Sequence, residues 1–405
     1  MKTEAILNAT YHYSDIPSSI TNAIKSLLGV SELSQLSTAE KRQLQSAYRN
    51  FFAQIGETDY HNISEAYTLR YFPVNFFKIW TPLRDLLLKG QIKESCSILE
   101  LGCGPGSSTM GLVEFYRILA NDNPTIPFKL KFVLVERETA FCDIFRIIYE
   151  QYALTLPQNL AVEFTFFNED IDTFFERRGN EKFDYIIESN ALNPNEKING
   201  SNLEHHCAAF VRMLKPHASI IMIEPAKEGL PEYLYQIKNI LMDNGLSVFS
   251  PCSCNNEVCK LLPMARVDIS GISLINDSRV LGIFDEKKGV HSFEYVVIRN
   301  DSLAKHQRPQ NTFSFCNLSS LIGKIVKFEA YVLYTFDHEE SFDLKICDGS
   351  GLKREIYLCV PKRFLTAESI DLLSIGRGGY VKVKNAKVVS ANRMECSLST
   401  MIEIM

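Results

Sequence analysis

The stretch from Ser97 to Phe115 constrains the fold of this chain more than any other. A short apolar run, Ser97 to Leu101, carries Glu100. Glycines follow at 102, 104 and 106, and Ser107, Ser108 and Thr109 are residue types that start helices. Alternate glycines let the chain turn sharply and leave bare peptide for a ligand to approach. In open α/β sheets such turns lie at the carboxyl ends of strands, where cofactors bind. A dinucleotide fingerprint would place its third glycine where Ser107 stands, which argues against a pyrophosphate-bearing ligand.

Downstream, apolar runs alternate with amphipathic ones, the pattern of a parallel sheet with helical crossovers. Strands are expected at 97–101, 129–135, 162–167, 184–187, 219–223, 246–249 and 293–299. The second ends in Glu136, where an acid can accept from both ribose hydroxyls of a nucleoside. The third is followed by Asn168, Glu169 and Asp170, of which Asp170 is expected near an adenine edge. The fourth runs into Glu188, Ser189, Asn190 and Asn193, the acceptor-side candidates, with Glu188, Asn190 and Asn193 as the catalytic residues. Glu100, Gly102, Cys103, Gly104, Gly106, Glu136 and Asp170 form the expected cofactor set.

Ahead of this sheet, residues 15–90 read as helical. Ser37 and Glu40 form a capping box, and Leu44, Ala47, Tyr48, Phe51 and Phe52 lie on one helical face. Beyond residue 312 the helical pattern gives way to strands with glycine-rich turns, then a helix at 366–373 and a further strand from Gly379. That order fits a five-stranded oligonucleotide-binding barrel. Its lysines at 324, 327, 345, 353, 382, 384 and 387 and Arg354 lie among Phe328, Tyr331, Tyr334, Phe342, Tyr357 and Tyr380, a mixture able to track phosphates and stack unpaired bases.

The organisation expected is therefore a helical cap over 1–92, a sheet domain over 93–300 with a long insertion at 251–292, a linker over 301–312 and a barrel over 313–405. The fold class is α/β: a Rossmann-like seven-stranded sheet with a helical cap and a C-terminal five-stranded OB-like barrel. A net charge of −5 leaves no global basic footprint, so nucleic-acid contact must be local. The amino terminus carries neither a signal-peptide core nor an arginine-rich transit segment, and no apolar run approaches a membrane span, which predicts a cytoplasmic protein without membrane contact. The chain has 11 cysteines, most inside apolar runs; Cys252, Cys254 and Cys259 are grouped. Thiols at that density suit zinc or an iron–sulfur cluster.

The spacing of Glu100, Gly102, Gly104 and Gly106 resembles motif I of the class I S-adenosylmethionine (SAM)-dependent methyltransferases. Ala66, Tyr67, Arg70 and Pro73, then Ser189, Leu192 and Asn193, and above all Ile223-Glu-Pro with Gly229, Gly245, Pro251 and Cys252 resemble the ribosomal small-subunit methyltransferase-like family of bacteria and mitochondria. The resemblance runs over roughly 40–300. It implies SAM as cofactor, small-subunit ribosomal RNA or the ribosome as partner, and a cysteine-held metal centre in the insertion. In that centre Cys252 and Cys259 stand for the first two family cysteines, Cys254 is extra, the segment 264–270 supplies no third, and Cys316 or Cys347 stands for the fourth. The residues leave open whether the chain transfers methyl groups to RNA, binds RNA without catalysis as an assembly factor, or methylates a protein or small molecule.

Overall fold

The computed structural model of the chain describes residues 1–11, 13–53, 63–191, 200–226, 230–252, 265–284, 289–350, 355–374 and 379–405. Its backbone divides into two compact units, 1–223 with 267–291 and 224–266 with 292–405. Among the described residues, no helix is long and apolar enough to cross a membrane.

The first unit opens with helices α1 (Glu4–Tyr11), α2 (Ser18–Leu27), α3 (Thr38–Ala53), α4 (Ser64–Phe76) and α5 (Trp80–Leu88). The capping box forms before α3: the Ser37 amide donates to Glu40 Oε2 at 2.7 Å and the Glu40 amide to Ser37 Oγ at 3.3 Å. Then follow β1 (Ser95–Leu101), α6 (Ser107–Asp122), β2 (Phe128–Val135), α7 (Thr139–Ala153), β3 (Leu160–Phe167), α8 (Ile171–Arg178), β4 (Phe183–Ser189), α9 (Gly200–Met213) and β5 (Leu214–Pro225). Next come α10 (Leu230–Asp243), β6 (Ser247–Ser250), β7 (Ala265–Asp268), α11 (Ser273–Val280) and β8 (Val290–Arg299). The strand order is β3-β2-β1-β4-β5-β8-β6, with β7 as an eighth strand beside β8. Pairs β1–β2, β1–β4, β2–β3 and β4–β5 are parallel, and β6–β8 is antiparallel. The sheet thus has one strand more than the sequence pattern predicts, because the 251–292 insertion carries β7 as well as α11.

The helical prefix is fastened to α6. The indole N–H of Trp80 donates to the Gly111 carbonyl at 2.7 Å, and a Cβ on Gly111 would sit 2.1 Å from the Phe76 carbonyl oxygen. Gly111→Ala should therefore cost about 1–3 kcal/mol through overpacking, read as a lower urea midpoint with an unchanged slope.

At the amino ends of the strands, Asp184 accepts from the Ser97 amide (2.8 Å), Lys93 Nζ (2.7 Å) and Lys215 Nζ (2.8 Å). Burial pushes this carboxyl up, but the hydrogen bonds from Lys215, Lys93 and Ser97 outweigh it and hold the group at about 2, below its ordinary 3.8. A depressed folded-state value stabilises above the unfolded one and fades as pH falls through it. Asp184→Asn should cost about 1–2 kcal/mol at neutral pH, after solvent screening. The gap from the parent should close as pH drops from 4 toward 2 in roughly the span of the shift.

In the second unit, β9 (Ile325–Asp337), β10 (Ser341–Cys347), β11 (Ile356–Pro361), α12 (Ala367–Ser374), β12 (Tyr380–Ser390), β13 (Arg393–Glu395) and β14 (Met401–Ile404) follow β8. The ring β9-β10-β11-β13-β12 closes back on β9, with β11–β13 its parallel pair, and β14 adds to β12 from outside. This is a closed five-stranded β-barrel, with α12 between its third and fourth strands. Phe328, Val332, Phe342, Leu344, Ile356, Leu358, Val381 and Val383 fill its core. Residues 301–312 contain no helix or strand, yet Lys305 and His306 within them are buried, and the His306 ring stacks on Tyr380 at 5.0 Å.

Candidate cofactor site

The chain leaves β1 for β2 and β3 on one side and returns to β4 on the other, so β1 marks the switch point at which open sheets form a crevice. Leu101 lies opposite Val135 on β2 and Glu188 on β4. The glycine turn emerges there, with the Gly102 amide donating to the Val135 carbonyl at 2.8 Å.

All three glycines have left-handed backbones, with φ of +62°, +53° and +90° at 102, 104 and 106. Their surroundings differ. A Cβ on Gly102 would lie 2.5 Å from that of Ala191, and one on Gly106 would lie 2.2 Å from the Phe145 ring on α7. At Gly104 a Cβ would meet nothing within 4 Å among the described residues. Two of the glycines are thus required by packing, and the middle one borders open space. The helix cap expected from Ser107, Ser108 and Thr109 falls instead on Gly106, and α6 begins at Ser107. Thr109 has another task, since its hydroxyl donates to Glu100 Oε2.

Two buried carboxyls flank the turn. Glu136 accepts from the Gly104 amide at 2.8 Å and from the Glu138 amide at 2.9 Å, tying the end of β2 to the turn. Asn168 supports it from β3, its Nδ2 donating to the Glu136 carbonyl at 2.8 Å. Burial raises Glu136 above the usual carboxylate range, against the pull of those two amides. Glu100 is pushed up to about 8, by burial first, with Thr109 pulling down and Glu136 adding repulsion. Neither carboxyl makes an ion pair among the described residues. Cys103 is buried beside them, its thiol pushed up by burial and by both acids. With no cation paired to these acids among the described residues, the crevice offers no counter-charge for a phosphate.

At the end of β4, Glu188 is buried and its Oε1 accepts from the Ala191 amide at 2.8 Å. Asn190 has φ +58°, uncommon for a residue with a side chain. Its amide N–H is held by the Ile223 carbonyl at 3.0 Å and its Nδ2 donates to Ser189 Oγ at 3.1 Å, while Oδ1 is buried without a hydrogen-bond partner among the described residues. Asn193 lies outside the described residues. Asp170 is exposed and caps α8, accepting from the Asp172 amide at 2.9 Å. Thr109, Phe145 and Asn168 support the site without any sequence signal for Thr109 or Phe145, because their partners lie on other elements.

The cysteines divide. Cys252 and Cys347 share one buried cluster with Tyr331, Leu333 and Tyr380, and Cys347 Sγ accepts from the Gly349 amide at 3.3 Å. Cys254 and Cys259 lie outside the described residues. Among the described residues no group of three or more His, Cys, Asp or Glu is placed to hold a metal ion. Of the barrel aromatics expected to face a nucleic acid, Phe328, Tyr331, Phe342 and Tyr380 are buried. Tyr334 and Tyr357 remain at the surface.

The sheet is Rossmann-like, with β8 inserted between β5 and β6 and antiparallel to β6. No protein-family model and no curated sequence matches the chain. Solved structures similar to it include a methyltransferase from Pyrococcus furiosus, at 17% identity over 54% of this chain and 82% of that one, TM-score 0.30. The plantazolicin methyltransferase BpumL in complex with SAH matches at 13% identity over 69% of this chain and 99% of its own, TM-score 0.35. A T. thermophilus 16S rRNA N2 G1207 methyltransferase, in complex with AdoMet and guanosine, matches at 13% identity over 43% and 40%, TM-score 0.30.

Proposed function

We propose that the chain is a SAM-dependent methyltransferase acting on RNA. The observation that carries the cofactor half is that, among the described residues, Gly104 has an open face and lies beside two buried carboxyls with no ion pair. A nucleoside with a sulfonium in place of a pyrophosphate suits that combination of bare peptide and acidic side chains with no cation paired to them. Glu136 would hold the ribose hydroxyls, and Gly102, Cys103, Gly104 and Gly106 would line the floor. Glu100 fixes the turn through Thr109, and Asp170 would stand at the adenine end. When bound, SAM supplies an activated methyl group whose leaving group is a neutral thioether. The chain then has to bind, align and exclude water rather than supply strong acids or bases. On the acceptor side Asn190 offers a buried, unpaired amide oxygen, able to orient a donor N–H or O–H of the group to be methylated. Glu188 keeps the backbone of that turn in place through Ala191, and Asn193 belongs to the same acceptor-side set.

RNA, small-subunit ribosomal RNA in particular, is favoured by the resemblance of 40–300 to the ribosomal family and by an OB-like barrel on the same chain. Incubation with methyl-labelled donor and total RNA tests both halves. Label in RNA that disappears with Asn190→Ala supports the reading. SAM binding by calorimetry without transfer would mark an assembly factor, and label in protein or small molecules would reassign the acceptor. The cysteine centre is part of the same proposal. Cys252 and Cys347 are brought together from distant positions, and the N–H···S bond from Gly349 suits a thiolate ligand, with Cys254 and Cys259 as the further ligands. Metal analysis of the purified protein finding neither iron nor zinc would remove that centre.

A further inference from the structure

The outer face of the barrel carries aromatic rings that its core does not use. On β9, Phe328, Ala330 and Val332 point inward. With unbroken alternation Tyr334 and Phe336 would follow them into the core. The β9–β10 register shifts between Lys345 and Ile346, so that Ile346 pairs with Val332 and Lys345 with Tyr334. This bulge at Leu333 reverses the parity of the strand, as bulges do when they re-aim a side chain. Thr335 takes the inward position, 3% exposed, and Phe336 is left 40% exposed.

The rings so displaced form a row with a third from β11. Tyr334 and Phe336 lie 4.5 Å apart between centroids, and Phe336 and Tyr357 6.1 Å apart. Lys345 lies opposite both Tyr334 and Tyr357 in register. The Arg266 guanidinium is 4.5 Å from the Tyr334 centroid and makes no ion pair among the described residues. The nearby acids are neutralised, Glu355 by Lys345 at 2.8 Å and Asp343 by both guanidinium nitrogens of Arg393 at 3.1 Å.

We propose that Tyr334, Phe336 and Tyr357, with Arg266 and Lys345, form a platform on which unpaired bases of single-stranded RNA stack. The inference rests on the RNA reading above and gives it a surface and a strand state. The ring separations exceed the ~3.4 Å rise of stacked bases, which suits bases splayed from one another rather than the closed edges of a duplex. Stacking gives little sequence preference, since every base has a π-face, while the Arg266 guanidinium, one of whose nitrogens donates to the Thr335 carbonyl at 3.5 Å, supplies a phosphate contact.

The test is fluorescence anisotropy on the full chain, with a labelled oligouridine of about 12 nucleotides, within the span of one such barrel, against a duplex RNA of equal length. The single strand should bind more tightly. Phe336→Ala and Tyr357→Ala should each weaken it about 5- to 100-fold, whereas Tyr334→Phe should keep parental affinity. Arg266→Ala should lower the salt slope by about one. Equal affinity for duplex, no binding, or alanine variants that bind like the parent would overturn the platform. SAM calorimetry and RNA labelling on the same proteins separate the two ideas. Transfer that survives both alanine changes without loss of affinity removes the platform and leaves the enzyme. Aromatic-dependent binding without transfer leaves the platform and removes the enzyme.

Discussion

Gly104→Ala is expected to weaken SAM binding about 10- to 100-fold, the equivalent of roughly 1–3 kcal/mol of overpacking against a ligand, while the protein stays folded. Among the described residues the added methyl would meet nothing within 4 Å, so the cost to the fold is that of a side chain at φ +53°, about 1–2 kcal/mol. The same change at Gly102 or Gly106 should do the reverse. There a Cβ runs into Ala191 or Phe145, adding a clash to the strained backbone, and the loss should reach about 3 kcal/mol in stability. Calorimetric titration alongside urea denaturation of the three variants distinguishes them. Parental affinity in Gly104→Ala would mean that no ligand lies on that peptide.

Glu100→Gln should raise stability at alkaline pH. The folded-state value of Glu100 is about 8, above its ordinary 4.5. A raised carboxyl contributes fully below the unfolded value and loses that contribution as pH climbs through the folded one, because the unfolded side chain ionises first. Glutamine titrates nowhere in this range and can still accept from Thr109. The variant should therefore gain on the parent by about 3 kcal/mol between pH 5 and pH 8. Thermal melts at the two pH values measure it, and parallel behaviour of parent and variant would mean that Glu100 is ionised inside the fold.

The strands of the sheet were legible because each is an apolar run bounded by turn residues, and β1 to β5 appear where the alternation places them. Their ends move outward by a few residues, as at Leu214–Pro225, where packing extends a strand through Lys215 and Pro216. Arg393–Glu395 and Met401–Ile404 are too short to signal a strand, and they exist because β12 and β11 offer them free edges. In the cofactor site the glycine spacing and Glu136 announce themselves, since local chemistry requires them. Thr109 and Phe145 do not, because their roles depend on what lies opposite in space. The barrel aromatics illustrate the same limit. Alternation alone gives no warning of a bulge at Leu333, and that single extra residue decides which rings are core and which are surface.

The indole of Trp80, seated on a side-chain-free patch of α6, makes α4 and α5 a fixed wall of the first unit rather than a hinged door. Trimming them away would uncover Phe115 and leave a furrow at Gly111 with nothing shaped to fill it. The smallest fragment able to keep the crevice in form must therefore start before α4, well ahead of β1.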